Sequence, residues 1–143
     1  MPKKHNSGMR GVYLVAAELS RNPGLVVTVT ARNGQGADIL AYHTRNRRSF
    51  AIQVKTNTHG SRSVLRSFWL TGSYPIDVTP RKDFVWILVA DHTVEHNEPP
   101  EFWVVPDSLM LPAVTRPKGK GWPSVSRINI EQTANAWSIF DGP

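Results

Sequence analysis

The chain has 143 residues, 40% of them hydrophobic, with no cysteine and a formal net charge of +6. This length fits one domain, and the absence of thiols excludes disulfides, thiolate metal sites and cysteine nucleophiles. Because no apolar run approaches the roughly 20 residues that cross a bilayer, we expect a cytoplasmic protein without a membrane partner.

The first predicted element is an amphipathic helix. Residues 1–7 are polar and basic and are expected to form a flexible N-terminus, which leaves a single domain over residues 8–143. From Gly8, apolar residues at positions 12, 15, 16 and 19 follow the helical period, and an Asn-Pro-Gly sequence then ends the helix. Glu18 lies at the edge of the apolar face and is expected to point towards whatever the helix packs on.

Three strands are predicted in close succession after this helix. Segment 25–32 is rich in β-branched residues, and segments 37–44 and 49–57 predict two further strands. A tight turn at 33–36 and a loop at 45–48 connect them, so we expect an antiparallel meander. If the loop places Thr44 directly opposite Ser49, Asp38 lies opposite Lys55.

The remaining elements predict a mixed α/β domain. SVLRSFWL at 63–70 is either a short helix or an irregular strand, whereas the apolar run at 84–90 predicts a strand buried on both faces. A partner strand at 101–105 and a short helix over 106–110 come next. A last strand at 124–130 and a terminal helix at 131–140 complete a single α/β domain with a mixed central sheet.

Positive charge is concentrated in the first half of the chain. Residues 1–66 contain 11 Lys and Arg against two acids, a net charge of +9, whereas residues 67–143 carry −3. Such a basic half favours nucleic acid as a partner. The cationic side chains expected to contact nucleic acid are Arg45, Arg47, Arg48, Arg62, Lys118 and Lys120. For Arg45, Arg47 and Arg48, the alternative is an ordinary solvated hairpin tip.

Four polar residues are expected to meet on one face of the sheet. Strand alternation gives Gln53 and Lys55 one face of the third strand and places Asp38 beside them. If the first helix packs on this face, Glu18 points into the same place. Carboxylate and amide oxygens suit Mg²⁺, and a lysine nearby stabilises charge on a phosphoryl group. The alternative is that Gln53 and Lys55 lie on a solvated face of the sheet without a function, while Asp38 caps the preceding turn.

Three segments resemble the successive motifs of the PD-(D/E)XK nuclease superfamily: GVYLVAAEL (11–19), GADILAY (36–42) and AIQVKTN (51–57). The resemblance covers roughly residues 8–110 and depends on the order and spacing of the motifs. It implies a restriction-endonuclease-like fold in which Asp38 and Gln53 hold Mg²⁺ or Mn²⁺, assisted by the Val54 carbonyl. Lys55 would be the catalytic lysine and Glu18 an accessory metal ligand.

Two positions depart from the superfamily pattern. Ala37 stands where the superfamily name has proline, and Gln53 replaces the second acid, which lowers the negative charge of the site. The resemblance implies a magnesium-dependent endodeoxyribonuclease that acts on DNA, and a homodimer where both strands are cut. The alternative is a non-catalytic DNA-binding module that retains the nuclease fold.

A further motif, HTVEH at 92–96, matches the order of an inverted zinc-peptidase motif. That chemistry needs both histidines on one helical face. The segment is instead expected to be a short polar loop between two strands, which argues against a metallopeptidase.

Overall fold

The chain is described by a computed structural model over residues 2–30, 37–58, 67–69, 79–115 and 123–142. The helices are α1 (Pro2–Leu19), α2 (Thr93–His96) and α3 (Asp107–Ala113). The strands are β1 (Leu25–Val29), β2 (Ile39–His43), β3 (Ser49–Asn57), β4 (Ser67–Trp69), β5 (Phe84–Ala90), β6 (Glu101–Pro106), β7 (Val114–Thr115) and β8 (Ser124–Ser126). Two 3-10 helices, Arg127–Thr133 and Trp137–Asp141, follow β8.

Five strands form a mixed sheet in the order β1-β2-β3-β5-β6, and β4-β8-β7 form a smaller second sheet. The first three strands are an antiparallel meander, as predicted, because a short connection between β2 and β3 permits only antiparallel pairing. Strand β5 pairs in parallel with β3, and β6 pairs antiparallel with β5. The predicted α/β class with a mixed central sheet is therefore confirmed.

The central sheet separates two apolar cores. On one face, Val15 and Leu19 of α1 pack with Phe50, Ile52 and Val54 of β3. On the other face, residues of β5 and β6 pack with α3, β8 and the 3-10 helix after it. All seven residues of β5 are buried, which confirms the strand buried on both faces.

The second half of the chain differs from its prediction in three elements. Segment 93–96 forms one helical turn instead of a loop, and it ends where Asn97 adopts a left-handed conformation. Strand β8 stops at Ser126 rather than continuing to residue 130, and the terminal helix is two separate 3-10 segments. The first of these is broken by non-helical angles at Ile130, whose side chain is buried in the core. The conformation of this region depends on the packing of single apolar residues such as Ile130. The spacing of these residues follows neither a helical nor a strand period.

Helix α1 begins at Pro2, six residues earlier than expected, and lies unusually close to β3. A Cβ atom added at Gly11 would lie 1.7 Å from the Oγ1 atom of Thr56. That hydroxyl is buried and makes no hydrogen bond within the described residues. The helix reaches this strand because position 11 has no side chain.

The segment around Trp137–Asp141 is anchored to the β2–β3 hairpin. The ring of the fully buried Phe140 meets Phe50 edge to face, with 4.9 Å between centroids. The Asp141 carboxylate accepts hydrogen bonds from Asn22 Nδ2 at 2.8 Å and from His43 Nε2 at 3.1 Å. The bond from Asn22 is the main reason that the pKa of Asp141 lies below its ordinary value.

A partly buried ion pair fixes the start of α3. Asp107 accepts hydrogen bonds from the backbone N–H of Arg81 at 2.8 Å, from its Nε at 3.1 Å, and from Trp86 Nε1 at 2.9 Å. Burial raises the pKa of Asp107, but these bonds and the Arg81 charge outweigh it and lower the pKa below its ordinary value. The Arg81 guanidinium also lies over the Phe84 ring, 3.5 Å from its centroid.

We expect Asp107→Asn to lower the free energy of unfolding by about 2 kcal/mol at pH 7, because the partly buried Arg81 would lose its anionic partner. The pKa of Asp107 is lower in the folded state than in the unfolded state. Its contribution is therefore present above the unfolded pKa and is lost as the pH falls through the folded pKa. Urea melts of both proteins from pH 7 to pH 2 check this, and a difference that stays constant would contradict it.

Candidate functional site

The β2–β3 pairing differs by two residues from the expected register. Ile39 pairs with Ile52, so Asp38 comes level with Gln53 rather than Lys55. The cause is the hairpin, in which the His43 N–H donates to the Arg48 carbonyl at 2.9 Å and residues 44–47 form the loop. Arg47 closes this loop with a φ of 59°. The expected pairing of Thr44 with Ser49 is therefore wrong, whereas Gln53 and Lys55 keep their common face.

The carboxylate of Asp38 accepts hydrogen bonds from two polar groups of β3. Gln53 Nε2 donates to its Oδ2 atom at 2.9 Å, and the backbone N–H of Val54 donates to the same oxygen at 2.9 Å. Oδ1 accepts no hydrogen bond from the described part of the chain. Asp38 and Gln53 are both half-buried. The structure thus brings together the two predicted oxygen donors, with one carboxylate oxygen still available.

Two further groups of β3 belong to this cluster, which we call the Asp38 cluster (Asp38, Gln53, Val54 and Lys55). Within a strand, the N–H and C=O of one residue point to the same edge, so the Val54 carbonyl faces the Asp38 side of β3. Lys55 is two residues beyond Gln53 and shares its face. Its ammonium has no hydrogen bond or ion pair among the residues that the structure describes.

Glu18 does not join the Asp38 cluster. Its carboxylate pairs with Arg21, in the turn just after α1, at 3.3 Å, and the Glu18 side chain is 32% exposed. Because α1 packs on Phe50, Ile52 and Val54, it covers the face opposite to Gln53 and Lys55. The expectation that the helix covers the polar face is wrong, since its apolar stripe is buried against the apolar side of β3.

The donor set of the Asp38 cluster fits a magnesium ion. In the described ranges, no three His, Asp or Glu side chains lie close enough to share a metal ion. A metal here would be held by one carboxylate, the Gln53 amide oxygen and the Val54 carbonyl. These are hard oxygen ligands, and Mg²⁺ usually takes few protein ligands and keeps several waters. Gln53 presents its amide nitrogen to Asp38. Its amide oxygen can therefore bind a metal ion only after the side-chain amide rotates to exchange the two atoms.

The basic hairpin divides into two parts. Arg45 and Arg47 are exposed at the tip. Arg48 instead makes contacts within the fold, because its Nη2 pairs with Asp83 at 2.5 Å and its guanidinium lies 4.8 Å from the Phe50 ring centroid. Of the three hairpin arginines, Arg45 and Arg47 are therefore the candidates for contact with DNA. The other predicted contact residues, Arg62, Lys118 and Lys120, lie outside the described residues.

The two histidines of the HTVEH motif occupy different environments. His92 is buried, with its Nε2 3.6 Å from the Glu101 carboxylate, whereas His96 is exposed. In the part of the chain that the structure describes, neither histidine belongs to a group of three His, Asp or Glu side chains that could hold a metal ion. The segment is one helical turn, so the predicted loop, which was the argument against a metallopeptidase, is wrong.

We did not predict from the sequence the exposed apolar side chains that lie beside the Asp38 cluster. Val26, Leu40 and Tyr42 are 55%, 49% and 40% exposed. The alternation of β2 contains the signal, because Ile39, Ala41 and His43 are buried and the residues between them must face the other way. Apolar residues at exposed positions would then have indicated a binding surface.

No protein-family model, curated protein or solved structure matches the chain. In the described residues, no helix is both long and apolar enough to cross a membrane.

Proposed function

We propose that this protein is a divalent-metal-dependent nuclease with a restriction-endonuclease-like fold, and that it hydrolyses phosphodiester bonds in DNA. The observation that carries the proposal is the hydrogen bonding of Asp38 to Gln53 and Val54. It holds a carboxylate, an amide and a backbone carbonyl together, with Lys55 on the face of Gln53. This set combines metal ligands with a cation for the phosphate.

Each residue of the Asp38 cluster has a role in this reaction. Asp38, Gln53 and the Val54 carbonyl would hold Mg²⁺ or Mn²⁺. The bound metal would supply a Lewis acid for the phosphoryl group and lower the pKa of a coordinated water. Lys55 binds a non-bridging phosphate oxygen and stabilises the negative charge that develops on it. Arg45 and Arg47, about 17 Å along the hairpin from Asp38, hold a more distant part of the DNA backbone.

The test is hydrolysis of supercoiled, linear and single-stranded DNA in Mg²⁺ or Mn²⁺, with EDTA as control. We expect cleavage with metal and none with EDTA. Asp38→Asn keeps the size of the side chain but loses the charge of a metal ligand, so it should cleave at least about 100-fold more slowly. Cleavage that persists in EDTA or in this variant would contradict the proposal.

A non-catalytic DNA-binding module is the second candidate. The neutral Gln53 amide favours it, because that amide satisfies one oxygen of Asp38 without any metal ion. Wild-type protein that binds DNA in both Mg²⁺ and EDTA, yet cleaves none of the three substrates, would support this candidate.

Gln53→Glu should change thermal stability in opposite directions without and with metal. Without metal, the substitution replaces a donor to Asp38 by a second carboxylate, so the melting temperature should fall by several degrees. With Mg²⁺ the added charge strengthens metal binding, and the metal-induced rise should exceed that of the wild type. Melts in EDTA and in Mg²⁺ measure both effects. Equal metal-induced rises in the two proteins would remove Gln53 from the metal site.

Removing the exposed charges of the hairpin should weaken DNA binding without regard to sequence. For Arg45→Gln and for Arg47→Gly, we expect the slope of log affinity against log salt to fall by up to about 0.9 per lost phosphate contact. Glycine suits position 47 because the φ there is 59°, so misfolding would not explain the loss. Arg21→Gln, in the exposed turn after α1, is the matched control for charge. Equal slopes in the hairpin variants and the control would show that the hairpin does not contact DNA.

A further inference from the structure

The sheet face that carries Gln53 and Lys55 continues as an apolar surface over β1 and β2. Val26 pairs with Tyr42 in the β1–β2 register, and Leu40 pairs with Ala51 of β3 in the next row. We call Val26, Leu40 and Tyr42 the apolar platform. Over β5 and β6 the same face of the sheet is buried under α3 and β8. The platform is therefore the part of this face that remains open in the described structure.

The apolar platform lies between cationic groups and the Asp38 cluster. Tyr42 is four residues from Asp38 along the strand, about 13 Å. The exposed Arg45 and Arg47 follow Tyr42 at the hairpin tip, and Lys55 lies beyond Asp38 on the neighbouring strand. A ligand that runs from the tip to the cluster meets positive charge, then an apolar surface, then Lys55. This order of charges fits an anionic polymer with apolar faces.

Duplex DNA does not match this surface, because it presents charged phosphates outward and keeps its bases stacked inside. A single strand has the same phosphates and also exposes the π-faces of its bases. Exposed aromatic side chains bind such bases by stacking, without regard to sequence. The platform therefore gains contact area from unpaired bases and little from a duplex.

We propose that the apolar platform binds unpaired bases of a DNA strand whose backbone passes the Asp38 cluster, so that the substrate is single-stranded or locally unpaired DNA. This inference rests on the proposed function for the role of the Asp38 cluster. Tyr42 is the stacking residue, and Leu40 and Val26 extend the surface on either side of its ring.

The test is fluorescence anisotropy in EDTA with the full chain and three probes of equal length: a single strand, its duplex, and a strand of abasic sites. The abasic strand keeps the phosphates but has no bases. We expect the wild type to bind the single strand most tightly. Tyr42→Ser should weaken this binding about tenfold and change the other two affinities by less than twofold. Tyr42→Phe keeps the ring and should bind like the wild type.

Two results would overturn the inference. The first is an equal effect of Tyr42→Ser on all three probes, or no effect on any of them. The second is a dimer in sedimentation velocity that Tyr42→Ser dissociates, since a second copy would then cover the platform. Circular dichroism melts establish that the variant is folded.

The inference and the proposed function fail in different ways. Base-dependent binding in EDTA without cleavage in Mg²⁺ would support the platform and contradict the nuclease. Metal-dependent cleavage of duplex and single strand at equal rates, unchanged in Tyr42→Ser, would support the nuclease and contradict the platform.

Discussion

Lys55→Ala is expected to slow metal-dependent DNA cleavage by at least about 100-fold, which is the effect of removing one preorganised group that stabilises transition-state charge. Its effect on the DNA dissociation constant should stay within a few-fold, because the residue is one cation among many. The ammonium has no acidic partner among the described residues, so its removal breaks no ion pair in that part of the chain. Single-turnover cleavage and anisotropy binding measure the two quantities separately.

Lys82→Ala is the matched control for this substitution. Lys82 is exposed and lies two residues before the start of β5, whereas Lys55 pairs with Leu88 near the other end of that strand. Both variants lose one positive charge, but only Lys55→Ala loses it beside Asp38 and Gln53. Equal cleavage rates in the two variants would show that Lys55 does not contact the reacting phosphate. A folding defect in Lys55→Ala alone would assign the residue a structural role.

Gly11→Ala is expected to cause the largest loss of stability of any single substitution discussed. The new methyl group would lie 1.7 Å from Thr56 Oγ1 and 2.9 Å from its Cβ, so α1 must shift away from β3. Overpacking of this kind costs about 3 kcal/mol, or roughly 10 °C in melting temperature for a chain of this size. Denaturant and thermal melts measure this loss.

Gly8 provides an internal control on the same helix. A Cβ at position 8 would meet nothing within 4 Å, so Gly8→Ala should stabilise the helix by about 0.5–1 kcal/mol. Thr56→Ala removes the nearest atom and should recover part of the stability that Gly11→Ala loses. If the double variant is no more stable than Gly11→Ala alone, the contact with Thr56 is not the cause.

The strands and their faces are the most predictable part of this fold. Strand β3 has the bounds expected from its alternation, and β5 was recognisable as a continuous apolar run. The same alternation also indicated which face of β3 the helix packs on, and the expected position of Glu18 disagreed with it. Phe50, Ile52 and Val54 form the apolar face of β3, and an apolar helix stripe packs there rather than on Gln53 and Lys55.

The hairpin register could not be derived from local sequence. It depends on a left-handed conformation at Arg47, a position where glycine or asparagine is the usual signal. The ion pair of Asp107 with Arg81 and the bond of His43 to Asp141 join residues 26 and 98 positions apart. No periodicity records such contacts, because they arise from tertiary packing alone.

The anchoring of Asp141 to the hairpin has a consequence for how the chain folds. Asn22 and Asp141 are 119 positions apart, and the Phe140 ring covers Phe50 in the middle of the meander core. Local contacts form the meander early, but closing so long a loop is slow because its entropy is lost before any contact offsets it. We therefore expect that the β2–β3 hairpin is not an autonomous folding unit, and that the Phe50 side of its core is completed only when residues 137–141 dock. Opening of either part exposes the other, which couples the two ends of the chain in one cooperative transition.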